Sequence, residues 1–160
     1  MARKTGHIKG MPTRPGDLRR AGGWEVGGNV SESDTAGELV AAFASAWNQH
    51  DMDALACLFH EDAAFVNVIG TYLRGRDEIR QQHAVVHAGP YKDSILRAEI
   101  VAAREPVPGV IVAHARTELD GDDRAPGQTR RSFVTFVIER RAGLWRFTAA
   151  HNTNVLPPSG

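Results

Sequence analysis

The sequence contains very little cysteine: Cys57 is the only one among 160 residues. A single thiol excludes an intramolecular disulfide and a metal cluster held by several thiolates. Cys57 lies in the apolar run ALACLF, within a predicted short helix. This setting predicts a buried small hydrophobic residue rather than a reactive nucleophile.

Long apolar runs are also missing. No stretch approaches the roughly 18 apolar residues that span a bilayer, and the N-terminal region lacks the continuous apolar segment of a secretory signal. With 42% hydrophobic residues, a chain of this length can still build one globular core. We therefore expect a cytoplasmic protein with one folded domain.

The first 33 residues lack apolar periodicity. Residues 1–30 carry six Lys and Arg against two Asp and Glu, a net charge of +4, and seven of the 16 glycines fall within the first 28 residues. This composition predicts a disordered basic tail over residues 1–33. The basic residues are scattered and are not interleaved with aromatic residues as in single-strand binders, so we expect no nucleic-acid or membrane partner. The glycines form no nucleotide-binding fingerprint after a strand, and we expect no cofactor.

Helix signals follow the tail. A capping-box spacing begins at Thr35 and precedes apolar residues at intervals of four that end at Trp47, which predicts a first helix over residues 35–48. Asp51 is placed to cap a second, short helix. A third helix is predicted over residues 76–87 and is stopped by a Gly-Pro pair.

Strand signals dominate the second half of the chain, where runs rich in β-formers are separated by short polar breaks. Helices that precede a run of strands predict an α+β roll, with the helices packed on one face of a curved antiparallel sheet. The folded domain is expected over residues 34–156, followed by a short C-terminal tail over residues 157–160. The predicted strands and extended pieces cover residues 63–68, 71–73, 94–105, 110–119, 130–141 and 144–155.

Three segments carry a resemblance to a known family: FASAWNQHDMDALACLFHEDAAFVNVIG, YLRGRDEIRQQH and GLWRFTAAHNTNV. Their order and spacing resemble the nuclear transport factor 2-like superfamily, also called SnoaL-like, and within it the SgcJ/EcaC type. The similarity covers residues 34–156. It implies a cone-shaped roll, in which three N-terminal helices close a curved sheet around a pocket.

The resemblance also implies a small-molecule binding scaffold that forms a homodimer through the outer face of its sheet. It does not fix one reaction, because a fold hosts many functions. Family members include isomerases, cyclases and dehydratases, while others bind ligands. The SgcJ/EcaC type is associated with biosynthetic settings and is often labelled oxidoreductase, but this chain shows no cofactor motif for such a role.

The last strand supplies several polar candidates for the pocket. Alternate residues of a strand point to opposite faces, so Phe147 and His151 share one face while Asn152 and Asn154 share the other. The aromatic residue marks the core side and predicts that His151 lines the pocket. Asn152 can point inward only if a β-bulge shifts the register.

Other polar candidates come from the predicted third helix and from two further strands. His83 and His87 lie four residues apart, a spacing that metals use, but Ala84 occupies the place of the general base in a hydrolytic zinc helix. We therefore predict no metal site, and expect one histidine in the pocket and the other at its rim. Asn67 shares a face with a core aromatic residue and either lines the pocket or holds the turn at Gly70.

His114 is a further candidate, although strand parity does not decide whether it faces the pocket or the outer side of the sheet.

Three hypotheses for function follow. The first is a binder of a small, largely apolar metabolite in secondary metabolism or accessory to a biosynthetic step. The second is a polyketide cyclase-like, isomerase or dehydratase-like enzyme that uses His151 or His83 as acid or base, and the third is a structural dimerisation module. The predicted ligand-binding residues are Trp47, Asn67, His83, His87, His114, Phe147, His151 and Asn152.

Overall fold

A computed structural model describes residues 30–156. The predicted basic tail and C-terminal tail fall largely on residues 1–29 and 157–160, outside this range. Residues 30–33, which the prediction assigned to the tail, belong to the first helix. The described elements, in chain order, are α1 (Val30–Asn48), α2 (Met52–Cys57), β1 (Phe59–Val66), β2 (Tyr72–Arg74), α3 (Gly75–His87), β3 (Ile95–Val107), β4 (Val110–Asp120), β5 (Arg130–Arg141) and β6 (Leu144–Asn154).

The helices follow the predicted pattern with two corrections. Because α1 begins at Val30, Thr35 lies inside the helix and the predicted capping box does not start it. Asp51 does cap α2, accepting a hydrogen bond of 2.8 Å from the backbone N–H of Ala54. Cys57 is exposed rather than buried, because the last residue of α2 points away from the helix face that packs on the core.

The six strands form one curved sheet in the order β2-β1-β6-β5-β4-β3. Strands β3 to β6 make the predicted antiparallel meander. The short strand β2 pairs antiparallel with β1, whereas β1 and β6 pair in parallel. The helices pack on one face of this sheet, as predicted for an α+β roll.

The core lies between the helices and the concave face of the sheet. Helix α1 packs across β3, and α3 packs across β1. Phe43 from α1 makes edge contacts with Phe136 and Phe147, whose rings stack on each other at a centroid distance of 4.5 Å. These aromatic residues fill one end of the roll and leave space toward the other.

Candidate functional site

A cavity of about 370 Å³ lies between the concave face of the sheet and helices α1 and α3. This volume is within the range of small-molecule sites in proteins. Its wall is mostly apolar. The apolar lining includes Val40, Phe43, Trp47, Phe65, Leu73, Val134 and Phe136.

The strands give the cavity a polarity gradient, because side chains in register form rows across the concave face. Ala113, Phe136 and Ala150 form one apolar row. Further along the strands, Val134 pairs with Asn152, and the cavity wall becomes polar. The chemistry of the wall therefore changes from apolar to polar along the strand direction.

The next row across the same face is polar. Thr117, Ser132 and Asn154 are in register on β4, β5 and β6, and all three line the cavity. The hydroxyl oxygens of Thr117 and Ser132 are hydrogen-bonded at 2.6 Å. Arg130, two residues before Ser132 on β5, extends the polar wall to the mouth of the cavity.

A β-bulge turns the end of β6. Ile138 pairs with Phe147, but Val137 pairs with Ala149, so Thr148 is an extra residue in β6. An extra residue reverses the facing of every side chain beyond it. The bulge anticipated as the condition for an inward Asn152 is present.

The bulge also overturns the predicted position of His151, which is exposed and lies outside the cavity lining. Phe147, before the bulge, is fully buried in the core beneath the cavity and is not part of its lining. Asn152 and Asn154 take the inward positions. The side-chain oxygens of both amides are buried and have no hydrogen-bond partner among the described residues, so these groups retain capacity to bind a ligand.

His83, a candidate from the sequence, lines the cavity from α3. Its Nδ1 lies 2.7 Å from the backbone carbonyl of Ile79. Because a carbonyl only accepts, Nδ1 carries the proton and Nε2 is an acceptor in the neutral ring. Burial lowers the pKa of His83 below its usual value, against the opposing effect of the bond to Ile79. The neutral imidazole contacts Phe65 and Trp47 edge-on.

Asn67 is placed at the cavity and also holds a turn. Its Oδ1 accepts hydrogen bonds from the backbone N–H groups of Ile69 and Thr71, at 3.1 and 2.9 Å. Asn67 lines the cavity. The side-chain oxygen is already used by the turn, which leaves the amide nitrogen for a ligand.

The mouth of the cavity holds a charged cluster of Tyr91, Asp122, Arg124 and Arg130, hereafter the mouth cluster. Arg124 binds the Asp122 carboxylate through Nε and Nη2, both at 2.9 Å. The phenol oxygen of Tyr91 accepts from Arg124 at 2.6 Å and from Arg130 at 2.7 Å. The bonds from Arg124 keep the pKa of Asp122 below its usual value, although burial opposes this effect.

Trp47 joins the cavity to the mouth cluster. Its ring lines the cavity, and its Nε1 donates to the hydroxyl of Ser94 at 3.0 Å. The Ser94 hydroxyl in turn donates to the backbone carbonyl of Tyr91 at 2.8 Å. The indole ring of Trp47 and the phenol ring of Tyr91 are 5.5 Å apart. Trp47 therefore packs against the segment that contributes Tyr91 to the mouth cluster.

Two other predicted histidines lie away from this cavity. His87 is buried behind Trp47, at a ring distance of 4.4 Å, and borders a second, open groove with His50. The Nδ1 atoms of His50 and His87 are 2.7 Å apart. His114 is exposed on the outer face of the sheet, with Nδ1 3.1 Å from the Thr135 hydroxyl. The structure thus brings together Trp47, Asn67, His83 and Asn152 and separates His87, His114, Phe147 and His151 from them.

Sequence reasoning missed the mouth cluster and most of the polar row. A signal for Thr117 existed, because it shares a strand face with apolar Ala113, Ala115 and Leu119. Arg130 has the same parity as the core residues of β5. Asp122 and Arg124 lie in a polar loop, where no local pattern distinguishes a cavity wall from a solvated turn.

Within residues 30–156, no group of three or more His, Cys, Asp or Glu side chains is arranged to hold a metal ion. No helix in this part of the chain has the length and apolar character needed to cross a membrane.

Known structures share this architecture. A cystatin-like domain of unknown function from Nostoc punctiforme has 22% identity and a TM-score of 0.72, with 81% of this chain and 80% of that chain covered. An uncharacterised cystatin-like protein from Caulobacter vibrioides has 29% identity and a TM-score of 0.68, with coverage of 79% and 92%. A hexachlorocyclohexane dehydrochlorinase has 15% identity and a TM-score of 0.67, with coverage of 80% and 95%.

Comparison with curated proteins gives no significant match. A family model of the SnoaL-like domain matches residues 40–148, which is more than half of the chain. This match contains the C-terminal part of α1, all of α3, the cavity wall on β4 and β5, and the mouth cluster. The chain therefore belongs to the SnoaL-like domain family of the nuclear transport factor 2-like superfamily.

Proposed function

We propose that this protein binds a small, largely apolar metabolite in the cavity, as a SnoaL-like protein of the SgcJ/EcaC type acting in secondary metabolism or accessory to a biosynthetic step. The observation that carries the proposal is the cavity of about 370 Å³, with an aromatic base and two inward amides, Asn152 and Asn154, whose oxygens lack protein partners. Such a site suits an apolar body with one hydrogen-bonding end.

The open cavity argues against a purely structural module, because that hypothesis requires the protein's own side chains to fill the cone. Val134 allows a direct test, since it is 5% exposed and lines the cavity. Val137 on the same strand faces the other side of the sheet and provides a matched control.

The probe is 1-naphthol, which has two apolar rings and one hydroxyl, and binding is measured by calorimetric titration. We expect saturable binding to the wild type and to Val137→Phe, and loss of binding in Val134→Phe because the added ring fills the cavity. Circular dichroism checks that both variants fold. Equal binding by Val134→Phe and the wild type, or no saturable binding by the wild type, would reject a ligand site in this cavity.

A second candidate function is acid–base catalysis by His83, of the cyclase, isomerase or dehydratase kind. His83 favours it because the ring is neutral, lines the cavity and is fixed by Ile79 with Nε2 left as a base. The dehydrochlorinase among the structural neighbours is an enzyme with this fold.

Proton exchange tests this role without knowledge of the substrate. In D₂O, Nε2 of His83 would remove an acidic C–H proton of 2-tetralone and return a deuteron, which NMR detects as loss of the C–H signal. We expect faster exchange with the wild type than with His83→Phe, while His114→Phe, on the outer face, matches the wild type. Exchange at the same rate with His83→Phe would exclude His83 as the base.

We also propose a homodimer formed through the outer face of the sheet. Phe133 supports it, because this aromatic side chain is 40% exposed there, with the Arg116 guanidinium 5.7 Å from its ring centre. Sedimentation equilibrium should show a dimer for the wild type and a monomer for Phe133→Glu. A wild-type monomer at all concentrations would reject the proposal.

A cytoplasmic location, and the absence of nucleic-acid and membrane partners, stay predictions from the sequence.

A further inference from the structure

The mouth cluster contains more positive than negative charge. Asp122 supplies one carboxylate, whereas Arg124 and Arg130 supply two guanidinium groups. Two neighbouring acidic groups are engaged elsewhere: Asp123 pairs with Lys92 at 3.0 Å, and Asp120 pairs with Arg97 at 2.7 Å. The cluster that borders the cavity therefore has a net charge of +1.

Arg130 carries the uncompensated charge. Arg124 makes the two short bonds to Asp122, while Arg130 reaches the same carboxylate at 3.3 Å. Both side-chain hydrogen bonds of Arg130, to Asp122 and to Tyr91, use Nη1. Among residues 30–156, no acceptor bonds its Nε or Nη2. One edge of the guanidinium therefore keeps its donors unused.

Arg130 lies in the cavity wall and is largely shielded from solvent. Its side chain is 25% exposed, compared with 62% for Arg131, which follows it and faces the outer side of the sheet. Arg130 lines the cavity next to the row of Thr117, Ser132 and Asn154. The Tyr91 hydroxyl, at 2.7 Å from Nη1, and the ring, 5.2 Å from the guanidinium carbon, hold the side chain there.

We propose that the ligand of this cavity is a monocarboxylate with an apolar body, and that Arg130 binds its carboxylate at the mouth. The inference rests on the proposed binding function and specifies the ligand class. A guanidinium edge matches the two oxygens of a carboxylate with two parallel hydrogen bonds. A single negative charge balances the net charge of the cluster, whereas the roughly two charges of a phosphate monoester would exceed it beside Asp122. The apolar body then lies against Val134 and Phe136.

The test compares three probes of similar shape by isothermal titration calorimetry: 2-naphthoate, 2-naphthalenemethanol and 2-naphthyl phosphate. We expect the wild type to bind 2-naphthoate roughly tenfold or more tightly than the alcohol, since hydrogen bonds to a charged group exceed neutral ones. Arg130→Gln should abolish this preference and leave the affinity for the alcohol within about twofold. Arg131→Gln, the matched control, should retain the preference.

A second variant keeps the test informative if Arg130→Gln does not fold. Arg130→Lys keeps the charge but loses the two-pronged geometry, so we expect an intermediate preference for the carboxylate. Equal affinity of the wild type for the acid and the alcohol would overturn the inference while leaving the binding function intact. So would equal weakening of both probes by Arg130→Gln, or tighter binding of the phosphate than of the carboxylate. If no probe binds the wild type, the proposed binding function itself fails, and this inference fails with it.

Discussion

Mild acid should destabilise this protein through His87. The ring is 7% exposed and packs against Trp47 at 4.4 Å, while its Nδ1 lies 2.7 Å from Nδ1 of His50. Its Nε2 is buried and has no partner among the described residues. Burial, followed by the proximity of His50 and of His83, lowers the pKa of His87 to about 4.

The size of the effect follows from proton linkage. In the unfolded chain the pKa of histidine is about 6.5, so between pH 6.5 and pH 4 the unfolded state binds a proton that folded His87 does not. Stability from this group is therefore complete above pH 6.5 and is lost as the pH falls toward 4. A shift from 6.5 to about 4 corresponds to about 3.4 kcal/mol at 1.36 kcal/mol per pH unit. Because His87 borders an open groove, solvent screening reduces this figure, and we expect a loss of about 1–3 kcal/mol.

Urea denaturation followed by circular dichroism, from pH 7.5 to pH 4.5, measures the loss of unfolding free energy. The same series with His87→Phe keeps an aromatic ring beside Trp47 and removes the proton site. The variant should lose about 1–3 kcal/mol less than the wild type over this range. His50→Gln removes only the smaller, electrostatic cause and should retain most of the wild-type pH dependence. Parallel pH curves for the wild type and His87→Phe would refute the assignment, since the remaining titrating groups are common to both proteins.

Three further predictions use the same urea assay. Gly121→Ala should lower the free energy of unfolding by at least about 2 kcal/mol, because φ is +76° and a Cβ would lie 2.5 Å from the Asp93 carbonyl oxygen. Gly127→Ala, with φ of +72° and open space around its Cβ, should lower it less. Equal losses for the two variants would contradict the steric argument. Asp51→Ala should cost about 1 kcal/mol through loss of the α2 cap, and an unchanged midpoint would show that the cap contributes nothing. Phe147→Ala should cost about 3–5 kcal/mol, because the ring is fully buried; a loss below about 1 kcal/mol would mean that the core closes around the gap.

The sequence was sufficient to predict the order and type of the elements. Alternation of apolar residues between turn signals placed β5 at the residues it occupies, Arg130–Arg141, and α3 within one residue of Gly75–His87. The start of α1 was less predictable, because Thr35 and Glu38 have a capping spacing but lie inside a helix that begins at Val30. The residues before Thr35 also form helix, so the local capping signal does not determine where the helix begins.

The candidate site was harder to predict because one bulge controls the end of β6. Parity counted along the sequence assigns His151 to the cavity and Asn152 to the outer face. The extra residue Thr148 reverses both assignments. A bulge depends on the pairing of β6 with β5, which a single strand's own sequence does not contain.

The mouth cluster could not be predicted from the sequence for a different reason. Tyr91 follows α3, whereas Arg124 and Arg130 lie after β4, and only the fold brings the three together. The contact between these segments is fixed by the backbone N–H of Asp123, which donates to the carbonyl of Pro90 at 2.9 Å. Such long-range contacts leave no periodic pattern in either segment.

The register of the strands also sets where chemistry in this cavity would occur. From the aromatic base to the mouth, the inward side chains of β5 are Phe136, Val134, Ser132 and Arg130. A ligand anchored at Arg130 therefore directs its apolar body toward the aromatic base. His83 contacts that base, with its ring 5.1 Å from Phe65 and 6.4 Å from Phe43. If both proposals hold, His83 meets a carbon of the apolar body and not the carboxylate. Binding and proton transfer would then use opposite ends of the ligand, and Arg130→Gln should change its affinity while His83→Phe changes its reactivity.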